Sequence, residues 1–528
     1  MKLLTKTRLL ILMAVVLLSS SAAGVLFGKP TIHDNEKALI HRASAITTLL
    51  LEWLPEETQP SDVVYDGIAG MLEVLDPHSN FLDPRSYQKM RERQEGSFFG
   101  VGIIISRRDG KVTVIAPMSG TPAARKGLRA GDIIAAVDGS ATDEITLDEV
   151  VDLVRGPEGS TVELTIRRPG MPKTFDVEIV RARIPTNSVR FSFMIRPGVG
   201  YIRLGEFSNT STLEVQQAIG ELRDEGMEDL ILDLRNNPGG ALDAAIGVTD
   251  LFLNKGQLIV TTRGRTPASI STLTAPGSEA RFEGPLVVLV NAGSASASEI
   301  VAGAVQDHDR GIVLGNTTWG KGLVQTVFGV RDGGLALTTA RYYTPSGRCI
   351  QRDYGSFIDY IMHRNGNSDE ASPAEVYETD AGRTVLGGGG ITPDVTVDNR
   401  ELSSPVVRLY GSSAFFRFAI ELLKDVPDTE QRTYAESFDS EAGAFERFLT
   451  WVGEQEILDD EEIEELIADE LSRDDAARAL HVEVLNATLG LEAGYRRTID
   501  ADDQILSAFE HLPDAADLWE AFPKQPAN

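Results

Sequence analysis

A chain of 528 residues is too long for one hydrophobic core and predicts three or four domains. Its composition, 42% apolar and 24% charged with 49 glycines, is that of a folded protein, and a net charge of −29 argues against a chain that wraps nucleic acid, which needs basic surface. One cysteine, Cys349, excludes an intramolecular disulfide and a thiolate metal cluster; the seven histidines show no HExxH-type spacing, so neither metal nor cofactor is expected.

Lys2, Lys6 and Arg8 precede the apolar run Leu9–Leu18, and SSSAAG follows at 19–24. Basic, apolar, then small is the order of a secretory signal, with Ser21 and Ala23 suiting cleavage after Ala23. Residues 9–27 are also long enough to stay uncut as an anchor. Residues 1–30 are therefore read as a signal peptide or N-terminal membrane anchor, and both export the rest. Residues 31–95 show apolar positions at three- and four-residue spacing, which predicts a helical arm ending in the proline-punctuated loop LDPHSNFLDP.

From 96 to 185 the pattern changes to short alternating strands and glycines with two helices, a small domain of its own. Between 186 and 400 strand and helix alternate. LILDLRNNPGG (230–240) and GPLVVLVNAGSASAS (284–298) are each a buried strand running into a small-residue turn and then a helix. Repeated units of this kind predict a parallel-type α/β core with its site at the strand C-termini. Residues 401–528 hold 30 acidic and 10 basic side chains, a net of −20, and read as helices with a solvated acidic face.

The turns carry the candidate chemistry. A turn after a buried strand exposes N–H groups and the next helix adds its positive end, so the Gly239–Gly240 turn and Ala297 are candidate oxyanion donors beside a serine. Three serines, Ser294, Ser296 and Ser298, precede the helix; one hydroxyl there suffices as a cap, and another is free to be a nucleophile. His308, nearest in sequence as a base, falls almost three helical turns from Ser296. Lys321, between glycines in GKGLVQ and without a nearby carboxylate in sequence, is the better base if burial keeps it neutral. Gln325 alternates to the same strand face and can orient its amine.

These stretches together resemble the C-terminal processing peptidases, the tail-specific serine proteases of the S41 type. LDPHS at 75–79, FFGVG at 98–102, KGLRAGD at 126–132, LDLRNNPGG at 232–240, SASASEI at 294–300, GKGLVQ at 320–325, RYYTPSGRCIQ at 341–351 and GGGGITPDV at 387–395 occur in the family's order. The resemblance implies Ser296 as nucleophile, Lys321 as base, Gln325 as its support, and Ala297 with Gly239 and Gly240 as oxyanion donors. Asp307 matches a family aspartate read as structural support. It implies an α/β fold: a crotonase-like (ClpP/crotonase) core over 186–400 with an inserted PDZ domain over 96–185, flanked by the helical N-terminal arm and the acidic helical tail.

A PDZ domain captures a C-terminal carboxylate by adding the peptide as a strand. Phe98, Phe99, Gly100, Val101 and Gly102 are the expected carboxylate loop and pocket wall, and Arg155 the expected link from PDZ to protease. The implied function is an exported serine endopeptidase, periplasmic or attached to the outer face of the inner membrane. It would act on proteins with free apolar C-termini, and the reading leaves room for a homo-oligomer and an adaptor protein. An inert PDZ scaffold and an acyl-CoA enzyme on the same fold are the rival classes. The intact Ser296, Lys321 and Gln325 weigh against the first, the PDZ insertion and export signal against the second.

Overall fold

The computed structural model describes residues 34–352 and 375–523, apart from 56, 425, 428 and 439–442; the expected signal or anchor at 1–30 lies outside the described residues. The chain divides into two units, Met1–Leu75 and Asp76–Asn528. Among the described residues the first holds two helices, α1 (Asp34–Glu52) and α2 (Pro60–Glu73). Proline opens α2, where a missing N–H costs nothing.

The second unit opens with β1 (Asn80–Leu82) and α3 (Pro84–Glu95). Both fall within the stretch expected to be a helical arm. β1 instead pairs with a long strand of the core, Asn80 opposite Ala336, and residues 76–95 belong to the second unit.

Next come β2 (Ser97–Gly100), β3 (Ile103–Arg108), β4 (Lys111–Pro117), α4 (Pro122–Arg125), β5 (Ile133–Val137), β6 (Ser140–Ala141), α5 (Leu147–Val154), β7 (Thr161–Arg167), β8 (Phe175–Val180) and β9 (Ala182–Pro185). They form a sheet in the order β3-β4-β5-β7-β8, with β6 on β5, while β2 and β9 pair as the entering and leaving strands. Val112, Val114, Ile134, Leu164 and Ile166 alternate inward, as a sheet with one buried face requires. β3 is an edge strand of this sheet.

The chain then builds a sheet through β10 (Val189–Arg196), β11 (Val199–Leu204), α6 (Ser211–Asp224), β12 (Asp229–Asp233), α7 (Leu242–Asp250), β13 (Leu258–Gly264), β14 (Ser271–Thr274), β15 (Leu286–Val290), α8 (Ala297–Asp307) and β16 (Ile312–Gly315). After β17 (Leu323–Val330), β18 (Gly333–Tyr343), β19 (Val376–Glu378) and β20 (Thr384–Leu386), β21 (Val395–Thr396) completes it in the order β10-β11-β12-β15-β16-β21. All neighbours but β10–β11 are parallel. Every residue of β15, LVVLV, is buried, as a strand covered on both faces demands. A second sheet, β1-β18-β13-β14 with β17 on β18, stands beside it.

Side chains of the first of these sheets divide by alternation. Leu230, Leu232, Leu286 and Val288 pack with α6, α7 and α8. Ile231, Val287, Leu289 and Leu314 pack on the opposite face with Ile499, Ile505, Ala508 and Ala515 of the C-terminal tail. The tail comprises α9 (Ser404–Gly411), α10 (Ala414–Leu423), α11 (Gln431–Glu436), α12 (Phe445–Glu454), α13 (Asp460–Ala468), α14 (Glu470–Thr488), α15 (Leu491–Ile499), α16 (Asp503–Glu510) and α17 (Leu512–Ala521).

It is helical as expected, but more than an acidic surface. It has its own core around Phe415, Phe448 and Leu480, and its last three helices roof the parallel sheet. Its earlier helices lean on the small domain, with Ile420 against Gly131 and Arg417 near Asp109 at 3.4 Å. The acidic count conceals this because the apolar residues lie on the inner sides of short helices.

Candidate active site

Two strand–turn–helix connections meet at the carboxyl ends of β12 and β15. The first runs through Arg235-Asn236-Asn237-Pro238-Gly239-Gly240 into α7, and the second through Asn291–Ser296 into α8. They are laced together by Asn237. Its carbonyl accepts from Ala295 N–H at 3.0 Å and Ser298 Oγ at 2.9 Å, and its amide donates to the Leu204 carbonyl at 2.8 Å. A Cβ on Gly239 would lie 2.7 Å from the Ala295 carbonyl oxygen and 2.8 Å from Ala297 N, and its φ is +93°. Only glycine lets the two turns approach this closely.

The three serines separate by partner. Ser294 Oγ donates to the Leu234 carbonyl at 2.8 Å and Ser298 Oγ to Asn237; both are fully buried. Ser296 is the N-cap of α8, with φ +56° and ψ −111°. The helix itself starts at the next residue, Ala297. A non-glycine residue at positive φ is strained, and the surrounding hydrogen bonds hold it there. Its side chain opens on a cleft of about 410 Å³ shared with Pro238, Gly240, Ala297, Lys321 and Gln325.

Among the described residues no hydrogen bond engages the N–H of Ala297 or of Gly240, and both residues line the cleft. The Gly239 N–H donates to Asn237 Oδ1 at 2.9 Å. Of the two expected glycine donors, Gly239 therefore shapes the turn with its N–H engaged, and Gly240 keeps its N–H available.

Lys321 is half-buried at the entrance to β17, and its Nζ donates to Gln325 Oε1 at 2.8 Å. The Gln325 amide donates in turn to the His78 carbonyl at 2.5 Å. Burial pushes the Lys321 amine below its usual 10.5, against the opposing charges of Glu299 and Asp76. These carboxylates correct the sequence-local view of a lysine without acidic neighbours: they come from twenty-two residues upstream and from the LDPHS loop. Burial and the Lys321 charge push His78 down to about 4, so it is neutral near pH 7. Burial raises Asp76, but hydrogen bonds from Ser79, His78 and Thr338 outweigh it and hold it below the usual carboxylate range.

Glu299 is the residue that sequence reasoning passed over. Its fully buried carboxylate accepts from Thr318 Oγ1 at 2.6 Å, Gly320 N at 2.7 Å, Ser296 N at 2.7 Å and Lys321 N at 3.0 Å. One side chain thus fixes the backbone of both Ser296 and Lys321. Burial nevertheless pushes its pKa up. The S-x-x-E spacing of a capping box was the available signal.

His308 turns away: its ring nitrogens meet Asp380 and the Leu258 carbonyl, each at 2.7 Å. Asp307 is buried at the far end of α8, accepting from Arg348 at 2.7 Å and from Ser346 N at 2.9 Å, which pins the loop after β18.

In the small domain, Phe98 and Phe99 border a separate cavity of about 920 Å³. Gly102, at φ +80°, leaves no room for a Cβ beside Thr121, while Gly100, the last residue of β2, and Val101, which follows it, are buried. Arg155 follows α5 directly, stacks on the Phe98 ring at 4.5 Å and pairs with Glu92 of α3 at 2.7 Å. Arg85–Asp152 at 2.5 Å and Lys89–Asp148 at 3.8 Å continue the α3–α5 contact. The other side of α3 supplies Met90 and Arg93 to the cleft that holds Ser296 and Lys321. The expected residues therefore fall in two places, the cleft and the small domain, joined by α3.

A half-buried lysine, a strained serine at a helix N-terminus and free N–H groups in one cleft are the equipment of a serine-type peptidase. The peptidase family S41 model matches residues 198–360 and the PDZ domain model residues 113–168. The chain is 44% identical over 301 residues to the carboxy-terminal-processing protease of Bartonella bacilliformis, covering 56% of this chain and 69% of that one. It is 38% identical over 334 residues to the carboxyl-terminal-processing protease of a Synechocystis species, covering 62% and 77%. The structure of a photosystem II D1 C-terminal processing protease is 33% identical and covers 68% of this chain and 87% of that chain, with a TM-score of 0.36. The chain belongs to the carboxy-terminal-processing proteases of peptidase family S41, serine-type peptidases that here carry a PDZ domain.

Proposed function

We propose that the protein is an exported serine endopeptidase that holds substrates by their free, apolar C-termini and cleaves peptide bonds with a Ser296–Lys321 dyad. The observation that carries this reading is Lys321: an amine held by Gln325, with its pKa lowered by burial, in the same cleft as the strained Ser296. The neutral amine takes the Ser296 proton as Oγ bonds to the scissile carbonyl carbon. The N–H groups of Ala297 and Gly240 receive the oxyanion. The C–N bond then breaks as Lys321 returns the proton to the leaving amine. Water adds to the acyl-serine, the ester C–O bond breaks, and Ser296 regains its hydrogen.

Residues 96–185 act as the PDZ domain and 186–400 as a crotonase-like protease core. The substrate tail adds to the edge strand β3, its carboxylate held by the loop Phe98–Gly102 and its last side chain walled by Phe98 and Phe99. Arg155, through Glu92 and α3, passes occupancy of that groove to the cleft. The basic, apolar and small-residue order of the N-terminus supports export, to the periplasm or the outer face of the inner membrane.

Ser296→Ala and Lys321→Ala test the mechanism. Each should abolish cleavage of an unfolded protein with an apolar C-terminus, a loss on the order of 10⁴-fold or more, with the thermal unfolding transition retained. Cleavage at the wild-type rate by either variant would overturn the dyad.

A further inference from the structure

We infer that Asp502, in the C-terminal tail, is a positioning residue for the catalytic turn, acting through Arg235. The chain of contacts starts in the tail. Asp502 caps α16, accepting from Gln504 N and Ile505 N at 3.1 Å each, and its two oxygens take Arg235 Nη1 at 2.9 and 2.8 Å. Gln504 Oε1 takes the same nitrogen at 3.1 Å. From the other side, Asp233 at the end of β12 receives Arg235 Nε and Nη2, Arg203 Nη1 and the Tyr201 hydroxyl, and is itself fully buried. Tyr495, also of the tail, joins through its hydroxyl to Tyr201 at 2.6 Å and Arg203 at 3.0 Å.

The backbone of Arg235 is fixed by the same groups: its N–H donates to Asp233 Oδ1 at 2.8 Å and its carbonyl accepts from Arg203 at 3.2 Å. Two residues on, Asn237 holds both sides of the Ser296 turn. Arg235 is therefore one of the fixed points that lead into the oxyanion turn, followed by Asn236, whose N–H donates to Asn291 Oδ1 at 2.8 Å, and the tail supplies one of the two anionic partners of Arg235.

Charge explains why the brace is needed. Asp233 faces two guanidinium groups, Arg203 and Arg235, so the buried cluster carries an excess positive charge that Asp502 neutralises. A charge left unpaired there would drive the Arg235 side chain outward and strain a turn in which sub-ångström placement sets the rate. This inference rests on the reading of Ser296 as nucleophile with Gly240 and Ala297 as oxyanion donors.

The test uses the full chain and a fluorogenic peptide with an apolar C-terminus. Asp502→Asn should lower kcat about tenfold with KM within about twofold, and Asp502→Glu should restore most of it. Phe509→Leu, which loosens the stacking of Phe509 under Arg196 on the same sheet face, is the stability control: it should lower Tm while kcat stays at the wild-type value. If Asp502→Asn does not fold, Tyr495→Phe reads the same network and should lower kcat with KM retained. A wild-type kcat in Asp502→Asn, or a kcat that follows Tm equally in the tail control, overturns the inference. Ser296→Ala, measured alongside, separates the two failures: if it is active, the nucleophile reading falls first; if it is inactive while Asp502→Asn matches wild type, only the positioning role falls.

Discussion

The two faces of the parallel sheet are covered in different ways. On one, α6, α7 and α8 follow directly from strands of the sheet and pack on it through a large apolar core. On the other, the cover comes from the far end of the chain, and aliphatic contacts are joined by Tyr495, Asp502 and the arginines beneath them. The helix side carries the proposed chemistry, because helix N-termini point their N–H groups at the strand ends. The tail side seals the sheet and grips Arg235 next to the proposed oxyanion turn. An acidic C-terminal region is here a structural layer of the protease core.

Removing residues 401–528 should have the largest effect. It strips the cover from Ile231, Val287, Leu289 and Leu314, each worth about 1.5–3 kcal/mol of burial, which together exceed the margin of an ordinary domain. The truncated chain should lose cooperative unfolding and solubility; a truncated protein with the wild-type Tm would show the tail to be an appendage. Glu299→Ala should come next, breaking the helix side at its hub. Four donors would lose their acceptor, for a destabilisation of about 3–5 kcal/mol in urea unfolding together with loss of activity. An unchanged midpoint would show that the hub is dispensable.

The smallest effect is on pH dependence. Because the folded pKa of Lys321 lies below 10.5, kcat/KM should rise with pH through the folded value as the amine loses its proton. In the window between the folded value and 10.5 the unfolded chain binds more protons than the native one, so Lys321 makes stability rise with pH there. Lys321→Met should flatten that slope. With His78 already down at about 4, an acid limb at higher pH does not belong to it. A rate independent of pH over that range would contradict a lysine base.

The strand–turn–helix units were legible because a fully buried strand has an unbroken apolar run, as in LVVLV, and the turn residues follow it directly. Lys321 stands out in sequence by its flanking glycines, and its contact with Gln325 follows from their shared strand face. Glu299 was obscured because its partners, Thr318, Gly320 and Lys321, are brought to it only by the fold. The engagement of the Gly239 N–H depends on a side-chain rotamer of Asn237, which spacing does not encode. The role of the tail was hidden for a related reason: Tyr495 and Asp502 are 294 and 267 residues from their partners Tyr201 and Arg235. Within the tail's own sequence they look like ordinary surface residues.

The most direct test of the central claim is labelling with a fluorophosphonate, which captures an activated serine, followed by peptide mapping by mass spectrometry. The wild-type protein should carry the label on Ser296, and Lys321→Ala should carry none at the same pH. A label on another serine, or equal labelling of Ser296 in the two proteins, would contradict a nucleophile activated by Lys321.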